Sequence, residues 1–531
     1  MRIANLFFPK MSEKSRNSQS RISQFPWLLF IATAVIYLAF PTRVYYWDGI
    51  TFAQAIEDAQ SLDASLVHPN HLIYNFAGYF FYKLLRTFGI ELRALTALQI
   101  LNSLLSAISA SVLFAILKDA LRSLYLAVCL TLLFAFSATW WKFSTDANAY
   151  VPSVLFLLVS FYLVMPDRKA RPWLVALTFF LSMAFHQLAV LMFPVLALGV
   201  YLQGGAISIK RRLVNALYFS ILSAVLILAT YAYLFSRARG SFDIHEFARW
   251  LTYYSPDADT QFRFWSNLQY TLRGHVRLFF GGRFNLLKDL VNPLIVLLLA
   301  CLVGAVLWLL FDLLRSLGTT NSDVAQRRKL RLQPYERSIL LLSLVWTIVY
   351  VVFLFFFLPQ NTFYRLFYLP ALILLLGVGL SLLKSRATSS WRLGVFVAAV
   401  GLANFLFLIY PFSHVEKYPP LAFAQQMNRE WPPGTVIYYG AESSDVSLVR
   451  YFTRGTHWKV FQPDSIPALE PEIGDVYSQG GTAWLETTAI DQCASTPDGA
   501  HWLKTHTGEK PLKQLKDPAY NIRFLQLLPT K

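Results

Sequence analysis

Long apolar runs dominate the pattern of hydrophobic and polar positions along this chain. About eleven of them approach the roughly 20 residues that a helix needs to cross a hydrocarbon core. Two of the runs, 172–185 and 187–203, are short and meet at His186, which indicates a tilted or recessed hairpin. The pattern therefore predicts a polytopic α-helical membrane protein. The predicted spans are approximately 25–40, 94–117, 122–141, 148–165, 172–185, 187–203, 213–235, 291–314, 338–358, 365–383 and 392–410.

Composition and charge agree with this class of protein. Of 531 residues, 56% are hydrophobic and 15% are charged, whereas about a quarter of the residues in a soluble protein are charged. The net charge of +17 would suit a nucleic-acid-binding protein, but the basic residues cluster in short links between apolar runs. This positive-inside pattern predicts a lipid-bilayer protein with a cytoplasmic amino terminus, an extracytoplasmic carboxyl terminus and no nucleic-acid partner.

The cysteines and the first apolar run bear on the compartment. Cys129 and Cys301 fall inside apolar runs and Cys493 is alone in the tail, so we expect no intrachain disulfide on the outer face. The sequence contains no Asn-x-Ser/Thr glycosylation acceptor. Both features favour a bacterial inner membrane. The first run lacks a small-residue cleavage site, which indicates an uncleaved first span.

Two segments between the spans are long enough to carry structure of their own. Segment 41–93 has helix-like apolar spacing and many aromatic residues at 51–62 and 70–85. This spacing predicts two helices that lie in the plane of the membrane interface. Segment 236–290 is rich in Arg and is predicted to lie on the same outer side.

Polar composition begins after residue 410. The domain organisation is therefore predicted as a basic cytoplasmic segment 1–24, a membrane domain 25–410 and a small α/β extracytoplasmic domain 411–531. In this last domain we expect strands at 435–439, near 460–461 and at 522–528, and a short helix at 445–452.

Two acids lie at the ends of apolar runs, and the span count puts both on the same side of the membrane. Asp48 follows the first run and Asp146 follows the third. A carboxylate within hydrogen-bond reach of an acceptor hydroxyl can act as a general base, and low dielectric raises its basicity. Each acid could instead cap a helix: Asp48 the one that begins near Gly49, and Asp146 or Asn148 the fourth span.

Histidines and outer arginines are the remaining candidates for chemistry. His68 and His71 could share a helix face and bind a metal, mark a turn with a helix start at Pro69, or hydrogen-bond a phosphate or sugar hydroxyl. His186 is either a loop residue or a ligand. Outer-side arginines run against the positive-inside trend, and Arg binds phosphate bidentately, although each could also reach towards lipid headgroups. The arginines in question are Arg365, which follows Tyr364, and Arg283.

These residues resemble the GT-C class of polytopic glycosyltransferases, in its branch of protein O-mannosyltransferase-like and aminoarabinose-transferase-like bacterial enzymes. The resemblance covers about residues 25–410 in layout. Its motifs are Asp48 after the first span, the His-Pro-x-x-Leu-x-Tyr stretch from His68 to Tyr74, Asp146 with Tyr150, and Tyr364-Arg365 before a late span. The chain departs from the family at Asn70-His71-Leu72, where Pro-Gly-Tyr-Pro-like residues are common, which suggests a subgroup with another sugar or acceptor.

The resemblance implies a sugar donor on a polyprenyl phosphate and an acceptor that is a lipid, a polysaccharide or a protein. It implies Asp48 as the base that activates the acceptor, with inversion at the sugar. Asp146 would orient the acceptor or support a divalent metal ion where one is used. His68, His71 and His186 would line the sugar site, and outer Arg would hold the phosphate.

Two other functions remain open at this point. One is a transporter or lipid flippase without glycosyl transfer, although the spans carry almost no ionisable residues at mid-depth, where transport pathways usually place them. The other is a structural or assembly protein whose tail binds a partner.

Overall fold

The computed structural model describes residues 24–168, 171–203, 208–252, 263–282, 304, 311, 334–383, 391–414, 419–441, 443–453, 455–462, 466–507, 513–514 and 523–529. The chain forms two compact units. The first comprises Met1–Pro41, Ala59–Leu92 and Thr96–Ile409. The second comprises Thr42–Asp58, Arg93–Leu95 and Tyr410–Lys531.

Helices make up most of the described chain. In chain order they are α1 Phe25–Ala39, α2 Trp47–Asp58, α3 Tyr74–Thr87, α4 Ala94–Leu121, α5 Leu124–Ala135, α6 Ala138–Ser144, α7 Tyr150–Val164, α8 Pro172–Phe185, α9 Phe193–Leu202, α10 Ile209–Arg239, α11 Ile244–Leu251, α12 Phe264–Phe279, α13 Pro334–Phe356, α14 Leu369–Leu383, α15 Trp391–Asn404, α16 Pro419–Glu430, α17 Ser444–Phe452, α18 Ile466–Ser478, α19 Thr487–Ala494 and α20 Pro497–His506.

The membrane spans follow the apolar runs. Among the described residues, four helices are long and apolar enough to cross a membrane, namely α4, α10, α13 and the continuous helical run Trp391–Phe412. The bent pair α5 and α6, which meet at 66°, could form one more span. Shorter apolar helices coincide with every other predicted span except 291–314, of which only residues 304 and 311 are described. These shorter helices are Phe25–Ala39, Tyr150–Val164, Pro172–Phe185, Gln187–Leu202 and Leu369–Ser381.

The break between α5 and α6 is stabilised by one buried amide. A helix break at membrane depth leaves main-chain carbonyls that water cannot reach, so side chains must satisfy them. Asn404 Nδ2 donates to Phe136 O and to Phe279 O, each at 2.8 Å, and Asn404 Oδ1 accepts from Gly281 N at 3.1 Å. This amide therefore links the bend to the end of α12.

Both helices predicted for segment 41–93 are present, with shifted bounds. The first, α2, begins at Trp47, two residues before Gly49, so Asp48 lies in its first turn rather than at the capping position before it. The second, α3, begins at Tyr74 rather than at Pro69, because residues 68–73 form a turn. The turn predicted around Pro69 is present, but the helix start predicted at Pro69 was wrong.

A five-stranded mixed sheet forms the centre of the second unit. Its strands are β1 Thr435–Tyr439, β2 Thr456–Val460, β3 Ala483–Glu486, β4 Lys513–Gln514 and β5 Arg523–Leu527, in the order β2-β1-β3-β5-β4. β1 is parallel to β2 and β3, whereas β5 is antiparallel to β3 and β4. The expected strands and the helix near 445–452 are present, whereas β3 and β4 were not predicted.

Alternation along β1 divides the core of this unit into two apolar layers. Val436 and Tyr438 belong to the layer with Ile473 and Leu485, while Ile437 belongs to the layer with Trp484. Successive side chains of a strand point to opposite faces, so a fully buried strand feeds both layers. The unit therefore has helices on both faces of its sheet. It also includes α2 and Arg93–Leu95, which the sequence analysis assigns to the membrane domain.

Candidate active site

Three histidines that the sequence singles out come together in the first unit. The rings of His68 and His71 stack with centroids 4.9 Å apart, and the His71 ring lies 4.7 Å from the His186 ring. His71 and His186 are 3% and 5% exposed. We call His68, His71 and His186 the histidine cluster.

Main-chain hydrogen bonds hold the cluster in place. Ile73 N donates to Ala184 O, and Gln187 N donates to Asn70 O, both at 3.1 Å. The Tyr231 hydroxyl donates to Pro69 O at 3.0 Å. The turn at 68–73 is thereby fixed beside the short connection that follows α8 and carries His186.

The hydrogen bonds of the ring nitrogens assign the neutral tautomers. His71 Nδ1 lies 3.3 Å from Phe185 O, and a carbonyl only accepts, so Nδ1 carries the proton and Nε2 does not. His68 Nδ1 accepts from Asn70 N at 3.3 Å and His186 Nδ1 accepts from Leu188 N at 3.0 Å. Their protons are therefore on Nε2. The cluster thus has two Nε2 donors and one Nε2 acceptor, the pattern that complements hydroxyl groups.

Aromatic rings surround the cluster. The Tyr150 ring, which is 2% exposed, lies 4.8 Å from the His186 ring, 5.3 Å from the Phe363 ring and 6.0 Å from the Tyr364 ring. The Phe367 ring lies 5.0 Å from the His186 ring. These rings desolvate the imidazoles, which strengthens any hydrogen bond made there. Tyr150 and Tyr364 were expected at the site from the sequence, whereas Phe363 and Phe367 were not.

Desolvation keeps the cluster uncharged. Burial lowers the pKa of His68 to about 4 and that of His186 to about 3, and it lowers the pKa of His71 well below its usual range. The three rings are therefore neutral hydrogen-bonding groups at neutral pH. Among the residues that the structure describes, no group of three His, Cys, Asp or Glu side chains is arranged to hold a metal ion.

Acid should destabilise the fold through these histidines. The unfolded chain takes up a proton at His68 near the ordinary pKa of 6.5, but the folded chain does so only near about 4. The free energy of unfolding therefore decreases as the pH falls from about 6.5 to about 4. We expect His68→Asn, which keeps an acceptor for Asn70 N, to show a smaller decrease in melting temperature over this range. An equal decrease in the variant and the wild type would exclude His68 as its source.

Asp146 is also in the first unit and is fully buried. Its carboxylate forms an ion pair with Lys142, and Oδ1 accepts from Ala147 N at 2.9 Å. Asn102 Nδ2 donates to the carbonyls of Asp146 and Asn148, each at 2.8 Å. The spacing of Lys142, four residues earlier, is the signal by which the sequence could have revealed this partner.

The helix cap at the start of α7 is provided by Asn148, one of the two residues that the sequence offers for this role. Asn148 Oδ1 accepts from Val151 N at 3.1 Å, so Asn148 caps the first turn of α7. The Asp146 carboxylate is instead directed to Lys142 and Ala147. Asp146 is linked to the aromatic surroundings of the cluster through Phe143, whose ring is 5.6 Å from that of Tyr150.

Asp48 belongs to the second unit and is partly buried in the first turn of α2. Burial raises the pKa of its carboxyl group to about 6, and a hydrogen bond with Tyr46 opposes part of this rise. An aspartate with such a pKa is ionised at neutral pH and yet binds a proton more readily than an ordinary aspartate. These properties suit a general base.

Arg365 is 1% exposed and is held by main-chain carbonyls. Its Nη1 donates to Asn361 O at 2.8 Å and its Nη2 donates to Pro359 O at 2.7 Å. The guanidinium therefore stabilises the segment that carries Tyr364 and Phe363. The structure gives it this positioning contact, whereas Arg283 lies outside the described residues.

No protein-family model matches the chain, and no curated protein matches it in sequence. Among solved structures, ArnT from Cupriavidus metallidurans bound to undecaprenyl phosphate matches with a TM-score of 0.55 and 13% identity, over 95% of this chain and 98% of that chain. The apo form of the same protein matches with a TM-score of 0.54.

An oligosaccharyltransferase from Archaeoglobus fulgidus is more distant, with a TM-score of 0.44 and 10% identity over 93% of this chain and 72% of its own length. The match to ArnT shows that the chain has a GT-C-like fold. The fold resemblance inferred from the sequence and the multi-pass helical class are thereby confirmed.

Proposed function

We propose that this protein is an integral-membrane glycosyltransferase that moves a sugar from a polyprenyl-phosphate donor to an acceptor hydroxyl on the extracytoplasmic face of a bacterial inner membrane. The observation that carries the proposal is the extent of the fold match. It covers 95% of this chain and 98% of an ArnT bound to undecaprenyl phosphate. A lipid, a polysaccharide or a protein could supply the hydroxyl.

The proposed reaction is a single displacement with inversion. The acceptor oxygen attacks the anomeric carbon of the sugar while Asp48 takes the hydroxyl proton, and the bond to the lipid phosphate breaks. The leaving phosphate keeps the bonding electron pair, so its negative charge must be neutralised by cations. The arginines of segment 236–290, including Arg283, are the candidates, because Arg binds phosphate bidentately.

The histidine cluster is proposed to bind sugar hydroxyls. A sugar hydroxyl can accept a hydrogen bond from the Nε2–H of His186, and the low pKa of His186 keeps this ring uncharged at neutral pH. Asp146, paired with Lys142, is proposed to orient the acceptor.

A panel of polyprenyl-phosphate sugars tests the proposal. Purified protein in detergent should release free polyprenyl phosphate from one class of sugar donor. His186→Asn keeps an acceptor for Leu188 N but shortens the donor, so we expect a loss in kcat/KM of about 10-fold or more for that donor. His245→Asn, at an exposed position of α11, is the matched control and should behave as the wild type.

The same assay separates glycosyl transfer from its rivals. A folded protein that releases no polyprenyl phosphate from any donor would exclude the transferase and favour a transporter, a flippase or a scaffold. Release with equal kcat/KM in His186→Asn would leave the transferase intact and would remove the histidine cluster from its sugar site.

A further inference from the structure

Helix α2, which carries Asp48 near its start, belongs to the same compact unit as the carboxyl-terminal domain. Its end is held by Glu57. Arg93 Nε donates to Glu57 Oε1 and Arg93 Nη2 donates to Glu57 Oε2, each at 2.8 Å. Ala94 N donates to Glu57 Oε1 at 2.8 Å as well. Such a bidentate ion pair fixes direction as well as distance.

Tyr451 of α17 completes this arrangement. Its hydroxyl donates to Glu57 Oε1 at 2.9 Å and accepts from Leu95 N at 3.3 Å. The Arg93 guanidinium lies 4.0 Å from the centre of the Tyr451 ring, and its Nη2 donates to Tyr451 O at 3.2 Å. We call Glu57, Arg93 and Tyr451 the clamp.

The ion pair between Glu57 and Arg93 stabilises the clamp at neutral pH. Burial alone would raise the pKa of Glu57, but the hydrogen bonds from Arg93 and Ala94 outweigh it and lower that pKa. The Glu57 and Arg93 side chains are only 21% and 39% exposed. An ion pair with this much hydrogen bonding is more than a solvated surface pair.

Two further contacts join α17 to the Asp48 segment. The Tyr45 ring, two residues before α2, stacks on the Phe452 ring at 5.2 Å. Arg450 Nη2 lies 3.5 Å from Gln54 Oε1. Three consecutive residues of α17, namely Arg450, Tyr451 and Phe452, thus contact the chain before, within and at the end of α2.

We infer that the carboxyl-terminal domain positions the Asp48 helix through the clamp, and that Glu57 and Tyr451 are positioning residues of the transfer reaction. The inference rests on the proposed function, in which Asp48 is the base. It gives the carboxyl-terminal domain a part in turnover. A helix held at its end by three partners keeps a base at its start within the small tolerance that proton transfer requires.

Glu57→Gln tests the inference, because it keeps the shape of the side chain and removes its charge. We expect kcat to fall about 10- to 100-fold with the donor KM within about twofold of wild type. The carboxylate of a loosened Asp48 would become more hydrated. The acidic limb of the pH–kcat profile should therefore move from about 6 towards the ordinary value of 3.8. Hydrogen exchange in Trp47–Asp58 should become faster.

Glu472→Gln is the matched control, because it removes an ion pair with Lys459 between β2 and α18 of the same domain. It should leave kcat, the pH profile and exchange in Trp47–Asp58 unchanged. If Asp48→Asn is inactive, an unchanged kcat and pH profile in Glu57→Gln would overturn the inference. Activity that survives in Asp48→Asn would instead overturn the proposed base, and the exchange rates of α2, which need no turnover, distinguish this failure from failure of the clamp.

Discussion

Asp48→Asn should abolish release of polyprenyl phosphate while the protein remains folded. Loss of a positioned general base costs about 10²- to 10⁴-fold in rate, and asparagine has the shape of aspartate but accepts no proton. In the wild type, kcat should rise with pH through about 6, because burial raises the pKa of Asp48 to about 6 and only the ionised form is a base. The residual activity of the variant should lack this limb.

Stability should change in the opposite sense from activity. The folded-state pKa of Asp48 lies above the ordinary value of 3.8, so ionised Asp48 is destabilising in the fold and stability increases as the pH falls through about 6. At neutral pH, Asp48→Asn should therefore melt at the same temperature as the wild type or higher. A large drop in melting temperature would mean that lost activity reflects unfolding.

Asp58→Asn provides the control for this pair of measurements. Asp58 is at the other end of the same helix and is exposed, so the substitution removes one charge from α2 without touching the proposed base. We expect wild-type kcat and an unchanged pH profile. Asp48→Asn activity within tenfold of wild type would remove Asp48 from the mechanism.

The membrane helices could be predicted from the sequence because the bilayer imposes a simple rule. A spanning segment must satisfy its own main chain and expose apolar side chains to lipid, so length and hydropathy locate it. The break between α5 and α6 escaped prediction, since no charged residue, Gly or Pro interrupts residues 123–141. The break depends on Asn404, which is 268 residues from Phe136 along the chain.

The histidine cluster shows where sequence reasoning ends. His68, His71 and His186 could each be selected, because a histidine outside the apolar spans can bind a metal or hydrogen-bond a phosphate or sugar hydroxyl. Their contact could not be predicted, because it depends on main-chain pairing between the turn at 68–73 and the connection after α8. The His71 ring bonds to the carbonyl of Phe185, 114 residues away.

The clamp was missed for a different reason. Its three residues are of types that are common on protein surfaces. No local spacing relates them, since Tyr451 and Glu57 are 394 residues apart. From the sequence, the carboxyl-terminal domain is therefore predicted to begin after residue 410, whereas the second compact unit also includes α2. Only the fold reveals that the proposed base and the tail share one unit.

Gly274→Ala should strongly destabilise the first unit. A Cβ at Gly274 would lie 2.3 Å from Arg365 Cζ and 2.6 Å from its Nε. The guanidinium cannot retreat without breaking its hydrogen bonds to Asn361 O and Pro359 O. Overpacking of this kind costs about 1–3 kcal/mol, so the melting temperature in detergent should drop by several degrees. Activity should fall as well, because the displaced segment carries Tyr364.

Gly379→Ala is the matched control, since it adds the same methyl group to a helix where nothing lies within 4 Å of the new Cβ. It should be neutral or should stabilise the protein by up to about 1 kcal/mol. A double-mutant cycle then identifies the cause. In an Arg365→Met background the guanidinium is absent, so Gly274→Ala should add little further destabilisation. If it costs the same in both backgrounds, some neighbour other than the guanidinium requires glycine at 274, and Arg365 does not hold its segment against α12.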